Sequence, residues 1–137
     1  MNGMSARPAS LLVIFGATGD LARRMLLPSL YGLFRDGLLP QDVRILGTAR
    51  SELDDDAFRR SVAETLQQRL AAPDRDDHTL SRFLAAIHYQ AASVDDRAAA
   101  DALCERIRAL RSGDVLYHLS TAPRFYAPIC ELLGAAG

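Results

Sequence analysis

The stretch that most limits what this chain can fold into is Leu11–Tyr31, LLVIFGATGDLARRMLLPSLY. Five consecutive apolar residues, Leu11 to Phe15, run without alternation, as a strand covered on both faces does. Glycines three apart follow, Gly16 and Gly19, and then an amphipathic run begins near Asp20. The pattern predicts strand, tight turn and helix. Small residues in Gly16-Ala17-Thr18-Gly19-Asp20-Leu21-Ala22 let a ligand approach the backbone. The new helix aims its unpaired N–H groups and the positive end of its dipole at the turn, where a phosphate fits. G-x-x-G-x-x-A is looser than the dinucleotide fingerprint G-x-G-x-x-G, and a glycine pair can also serve the turn's backbone angles alone. The remainder of the chain decides between the two.

Beyond Tyr31 the chain keeps alternating strand and helix. A first helix is expected over Asp20–Asp36, with Leu21, Ala22, Met25, Leu26, Leu30, Leu33 and Phe34 on one stripe and a kink or brief break at Pro28. Gly37 reads as its stop. Further strands are expected at Val43–Thr48, Ile87–Ala92 and Val115–Leu119, and helices at Asp54–Leu70, His78–Ala86, Arg97–Arg111 and Phe125–Leu133. Ala98, Ala102, Leu103, Ile107 and Leu110 form the expected inner face of the Arg97 helix. The fold class is α/β, a doubly wound Rossmann-like parallel sheet of strand order 3-2-1-4. Residues 1–10 read as a flexible arm, residues 11–137 as one incomplete nucleotide-binding domain, and strand four as a bare edge.

In such a fold an acidic residue closing strand two holds a ribose 2′-OH, whereas an arginine accommodates a 2′-phosphate. Here Arg50 holds the position, with Ser51 as a further donor, so NADP is expected over NAD. Glu52 keeps the acidic alternative open. At the end of strand four, Ser120-Thr121-Ala122-Pro123 places small and polar residues where ligands bind in open sheets.

Composition narrows the rest. The net charge is −1 and all 16 basic residues are arginine, which excludes lysine-based chemistry, and the arginines are scattered along the expected helices rather than clustered, which reads as solvated faces rather than a nucleic-acid patch. No segment is long and apolar enough for export or a membrane span, so a cytoplasmic location is expected. Cys104 and Cys130 form no C-x-x-C pair and read as reduced, buried residues. Asp54, Asp55 and Asp56 are consecutive, which suits helix capping better than metal binding. His78, His88 and His118 stand apart from any nucleophile or carboxylate in sequence, so no catalytic residue is named. The chain reads as a cradle without an acid or base, the cofactor-binding part of something longer.

Phe15-Gly-Ala-Thr-Gly-Asp-Leu-Ala-Arg-Arg24, Leu27-Pro-Ser-Leu-Tyr31 and Ile45-Leu-Gly-Thr-Ala-Arg50 together resemble the N-terminal coenzyme domain of the glucose-6-phosphate dehydrogenases. The resemblance implies that Gly16 to Leu21 wrap the NADP diphosphate and that Arg50 takes the 2′-phosphate. It implies that Ser93 and Val94 line the adenine side, and that Leu119 and Ser120 approach the cofactor. It further implies a parent, expected to be a homo-oligomer, that oxidises glucose 6-phosphate to the lactone in the pentose phosphate pathway. That parent's catalytic segment and sugar-phosphate site would lie beyond Gly137. Two departures stand out: Met25 where the family commonly has lysine, and Thr121-Ala122 where it has Pro-Pro. Two other classes stay open, a non-catalytic NADP-binding or redox-sensing module and a structural fragment whose glycines serve only the turn.

Overall fold

In the computed structural model, residues 10–40, 42–70, 76–93 and 95–136 are described. The expected arm, apart from Ser10, and most of the expected polar loop at Ala72–Asp77 lie outside them. Four strands form one parallel sheet in the order β3-β2-β1-β4, as expected. They are β1 Leu11–Phe15, β2 Arg44–Ala49, β3 Ile87–Ala91 and β4 Val115–Leu119. The helices are α1 Leu27–Arg35, α2 Asp55–Arg69, α3 Asp77–Ala85, α4 Arg97–Leu110 and α5 Tyr126–Ala136. A short 3-10 turn, Pro123–Phe125, leads into α5. Ser10 is buried, and its N–H donates to Asp114 O at 3.1 Å, extending the β1–β4 pairing.

The apolar run of β1 serves two cores because successive side chains point to opposite faces. Ile14 joins Ile45, Ile87 and Tyr89 under Leu27, Leu30 and Tyr31 of α1, Phe58, Val62 and Leu66 of α2, and Phe83 of α3. Leu11, Val13 and Phe15 join Leu46 under Leu103 and Ile107 of α4 and Ile129 of α5. Each fully buried aliphatic side chain contributes about 1.5–3 kcal/mol relative to exposure.

The break expected near Pro28 is a π-helical turn at Ala22–Leu26, just ahead of the proline. Leu27 N–H bonds to Ala22 O, one residue further back than in an α-helix, and Pro28 has no N–H to resume the ladder. The extra residue rotates the helix face. The buried stripe is therefore Ala22, Leu27, Leu30 and Tyr31, whereas Leu21, Met25 and Leu33, expected on it, are exposed.

Helix α4 keeps Leu103 and Ile107 of its expected inner face, with Leu110 packed against the same core, but not the two alanines. Ala100, Leu103, Cys104 and Ile107 are buried, while Ala98 and Ala102 are exposed, because alanine is too small to set the phase against larger neighbours. Cys104 is buried as expected. Cys130 is instead exposed, since α5 directs the adjacent Ile129 into the core.

Asp54 caps α2, accepting from Ala57 N–H at 2.7 Å, and Asp96 caps α4 through Ala99 N–H at 3.2 Å. Strand β4 pairs with β1 alone among the described residues and leaves Leu116 and Tyr117 exposed. No described helix is long and apolar enough to cross a membrane.

Candidate functional site

A cleft of about 280 Å³ opens at the carboxyl ends of the strands. The turn after β1 forms its floor. Gly16 adopts φ +82°, a conformation that favours glycine, and its N–H donates to Thr48 O at 2.9 Å. Ala17 N–H shares that acceptor at 3.2 Å, so these two amides tie the turn to β2. Arg23 N–H, donating to Gly19 O at 3.1 Å, closes the first helical bond. The N–H groups of Asp20, Leu21 and Ala22 precede that bond, at the start of the helix.

Gly16, Thr18, Gly19, Arg50, Ser93 and Ser120 all line this cleft, gathered from the ends of four strands. Ala17 does not line it, because its side chain is buried against β2, where a Cβ on Gly47 would lie 2.8 Å from the Ala17 Cβ. Asp20 is exposed and reaches Arg24 at 3.5 Å, and Leu21 points outward. Leu119 packs into the second core beside the cleft. Val94 lies outside the described residues.

Three hydroxyls of the lining are left open, and one of them, on Thr48, is not singled out as a ligand by the strand pattern. Thr48 Oγ1, Ser120 Oγ and Thr121 Oγ1 are buried and lack a hydrogen-bond partner among the described residues. All three border the cleft. Buried hydroxyls are nearly always paired, so a polar ligand in the cleft would satisfy them. In the sequence Thr48 is legible only as the last residue of a strand, and its role depends on β2 ending beside the turn.

Arg50 and Ser51 stand exposed at the lip, directly after β2. Arg50 has no ion-pair partner among the described residues. Glu52 is exposed on the other side of the loop and does not line the cleft.

The histidines lie elsewhere. His118 is exposed on β4, and His88 Nδ1 is 3.7 Å from Asp55 Oδ2 beneath the sheet edge. Burial pushes the His88 imidazole below its ordinary value, against the pull of Asp55. Asp55 is not merely a helix-start charge. It accepts from Tyr89 N–H at 2.8 Å and from Arg106 at 2.7 Å. Burial opposes ionisation of its carboxyl, yet these two donors hold it below the usual carboxylate value. Met25 is 63% exposed on the π-helical turn, offering a thioether where the resemblance expects a cation.

A glycine turn feeding a helix, an arginine at the end of the second strand and polar residues after the fourth define a doubly wound nucleotide-binding domain. Comparison with known proteins gives the particular family. Residues 13–137 match the profile of the glucose-6-phosphate dehydrogenase NAD binding domain, and the chain belongs to that family. It is 42% identical over 129 residues to glucose-6-phosphate 1-dehydrogenase of Zymomonas mobilis, covering 93% of this chain and 26% of that protein. The Aggregatibacter actinomycetemcomitans enzyme is 39% identical over 131 residues, again covering 26% of its length. The crystal structure of the Mycobacterium avium enzyme superposes with a TM-score of 0.81 at 33% identity, over 94% of this chain and 27% of that one. A glucose-6-phosphate dehydrogenase solved with its substrate superposes with a TM-score of 0.82 at 27% identity, over 96% and 29%. The chain thus spans about a quarter of the length of the relatives it matches.

Proposed function

We propose that this chain is the coenzyme domain of a glucose-6-phosphate dehydrogenase that takes NADP in preference to NAD. Arg50 carries the reading. It stands at the lip of the cleft, free of any carboxylate partner among the described residues, with Ser51 beside it and Glu52 turned away. A guanidinium so placed suits a 2′-phosphate and leaves a 2′-hydroxyl without its acidic acceptor.

In this reading Thr18, Gly19 and the leading N–H groups of Asp20 and Leu21 hold the diphosphate. Ala17 and Leu119 fix the turn and the end of β4 by packing. Ser93 and Val94 border the adenine side, and Ser120, with the hydroxyls of Thr48 and Thr121, faces the bound nucleotide. The nucleotide, when bound, supplies a hydride acceptor. The parent enzyme, cytoplasmic and a homo-oligomer, would oxidise glucose 6-phosphate at C1 to the lactone, with the proton-accepting group and the sugar-phosphate ligands supplied by residues outside this chain. Met25 offers that substrate no cation at its own position, directly after Arg23 and Arg24.

Calorimetric titration with NADP⁺ and NAD⁺ tests the proposal, alongside Arg50→Ala. Saturable binding that favours NADP⁺, with the preference reduced about tenfold or more in the variant, supports it. Equal affinity for both nucleotides, or no binding by a folded chain, rejects it.

A further inference from the structure

Arg50 has to be held in place, and nothing in its own strand does so. The β2 ladder ends at Ala49, which pairs with Ala91, and α2 is not capped until Asp54. Between them, residues 50–53 bridge the gap as loop. Beneath this loop lies Tyr89 of β3, 2% exposed, with its ring against Phe58 at 4.8 Å between centroids. Its hydroxyl is 2.7 Å from the Ser51 carbonyl and 3.2 Å from the Ala49 carbonyl, the two residues that flank Arg50.

A phenol has one proton to donate. Ala49 O already accepts from Ala92 N–H at 2.9 Å, so the Tyr89 proton belongs to Ser51 O, the nearer acceptor. The backbone of the same tyrosine secures the far side of the loop, its N–H donating to Asp55 Oδ1 at 2.8 Å in the first turn of α2. One residue therefore ties down both ends of the β2–α2 connection.

We infer that Tyr89 is a positioning residue for coenzyme choice, its hydroxyl fixing the Ala49–Ser51 backbone so that Arg50 is directed at the 2′-phosphate of NADP. This rests on the role proposed for Arg50. Tyr89 itself lies outside the cleft lining. Burial, with Glu52 nearby, pushes its phenol up to about 12, so the hydroxyl remains a donor at any pH the protein meets.

The test is Tyr89→Phe, which removes one oxygen and keeps the ring packing. Wild type, Tyr89→Phe, Arg50→Ala and the double variant are titrated with NADP⁺ and NAD⁺, and each is shown to be folded by thermal melting. Loss of one positioning hydrogen bond should weaken NADP⁺ about three- to tenfold and leave NAD⁺ unchanged. In the Arg50→Ala background the same substitution should have no further effect on the NADP⁺ to NAD⁺ ratio. A ratio unchanged by Tyr89→Phe, or equal weakening of both nucleotides, overturns the inference while leaving Arg50 in its role. A ratio unchanged by Arg50→Ala overturns the reading of Arg50 and this inference with it.

Discussion

The α-carbon of Gly16 is pressed against the backbone of Ser120 so closely that a Cβ there would collide with the Ser120 carbonyl. Ser120 N–H in turn donates to Phe15 O at 2.8 Å, one residue before the glycine. The turn after β1 and the end of β4 are thus locked together where the strand order reverses. Ligands bind at this point in doubly wound sheets.

Gly16→Ala should therefore fail twice, through the strain of φ +82° and through the collision with Ser120. The expected cost is about 2–4 kcal/mol, with loss of nucleotide binding in whatever folds. Gly37, at φ +73° with nothing within 4 Å of a new Cβ, is the control. Gly37→Ala should cost only about 1–2 kcal/mol and bind normally. Chemical denaturation and calorimetry of the two variants check this.

Gly47 sits under the turn from the other side. A Cβ there would lie 2.8 Å from both the Ala17 Cβ and the Phe58 Cζ. Gly47→Ala should cost about 1–3 kcal/mol by overpacking, and should weaken nucleotide binding by displacing Ala17. Retained stability and affinity would show that the turn can shift freely away from β2.

Asp55 joins α2, β3 and α4 through Tyr89 N–H and Arg106, whose side chain is 30% exposed against 28% for the carboxylate. Asp55→Ala should cost about 1–3 kcal/mol, since it strands a backbone donor and a guanidinium together. Asp55→Asn keeps an acceptor for Tyr89 N–H and should lose less. Urea denaturation midpoints rank the two.

His88 and Asp55 both have folded values below their ordinary ones. The unfolded chain then binds more protons, so stability rises with pH through each window. The His88 contribution is complete above its unfolded value of about 6.5 and is lost as pH falls toward the folded value. That of Asp55 is complete above about pH 4 and is lost as pH falls through its folded value. Melting temperature should decline from pH 7 toward pH 5 in wild type. His88→Asn should flatten that part of the curve and leave the acid limb.

Much of this fold is legible in the amino-acid sequence, because β1, the glycine turn and the alternation of elements are written in local apolar runs. The strand order and the places of Gly16, Gly19, Arg50 and Ser120 follow from that pattern once the sheet is doubly wound. The helix faces are less legible. A π-helical turn adds a residue that periodicity does not count, which moves Met25 out of the buried stripe and Leu27 into it.

The sequence by itself determined the elements and the chemistry available at their ends, since strand and helix propensity, turn glycines and caps act over a few residues. Only the tertiary structure decided which distant groups meet. Thr48 and Thr121 face one cleft, Tyr89 reaches beneath Ser51, and Asp55 gathers Arg106 and His88, because packing of α2 and α4 on opposite faces brings together residues that local rules treat as unrelated.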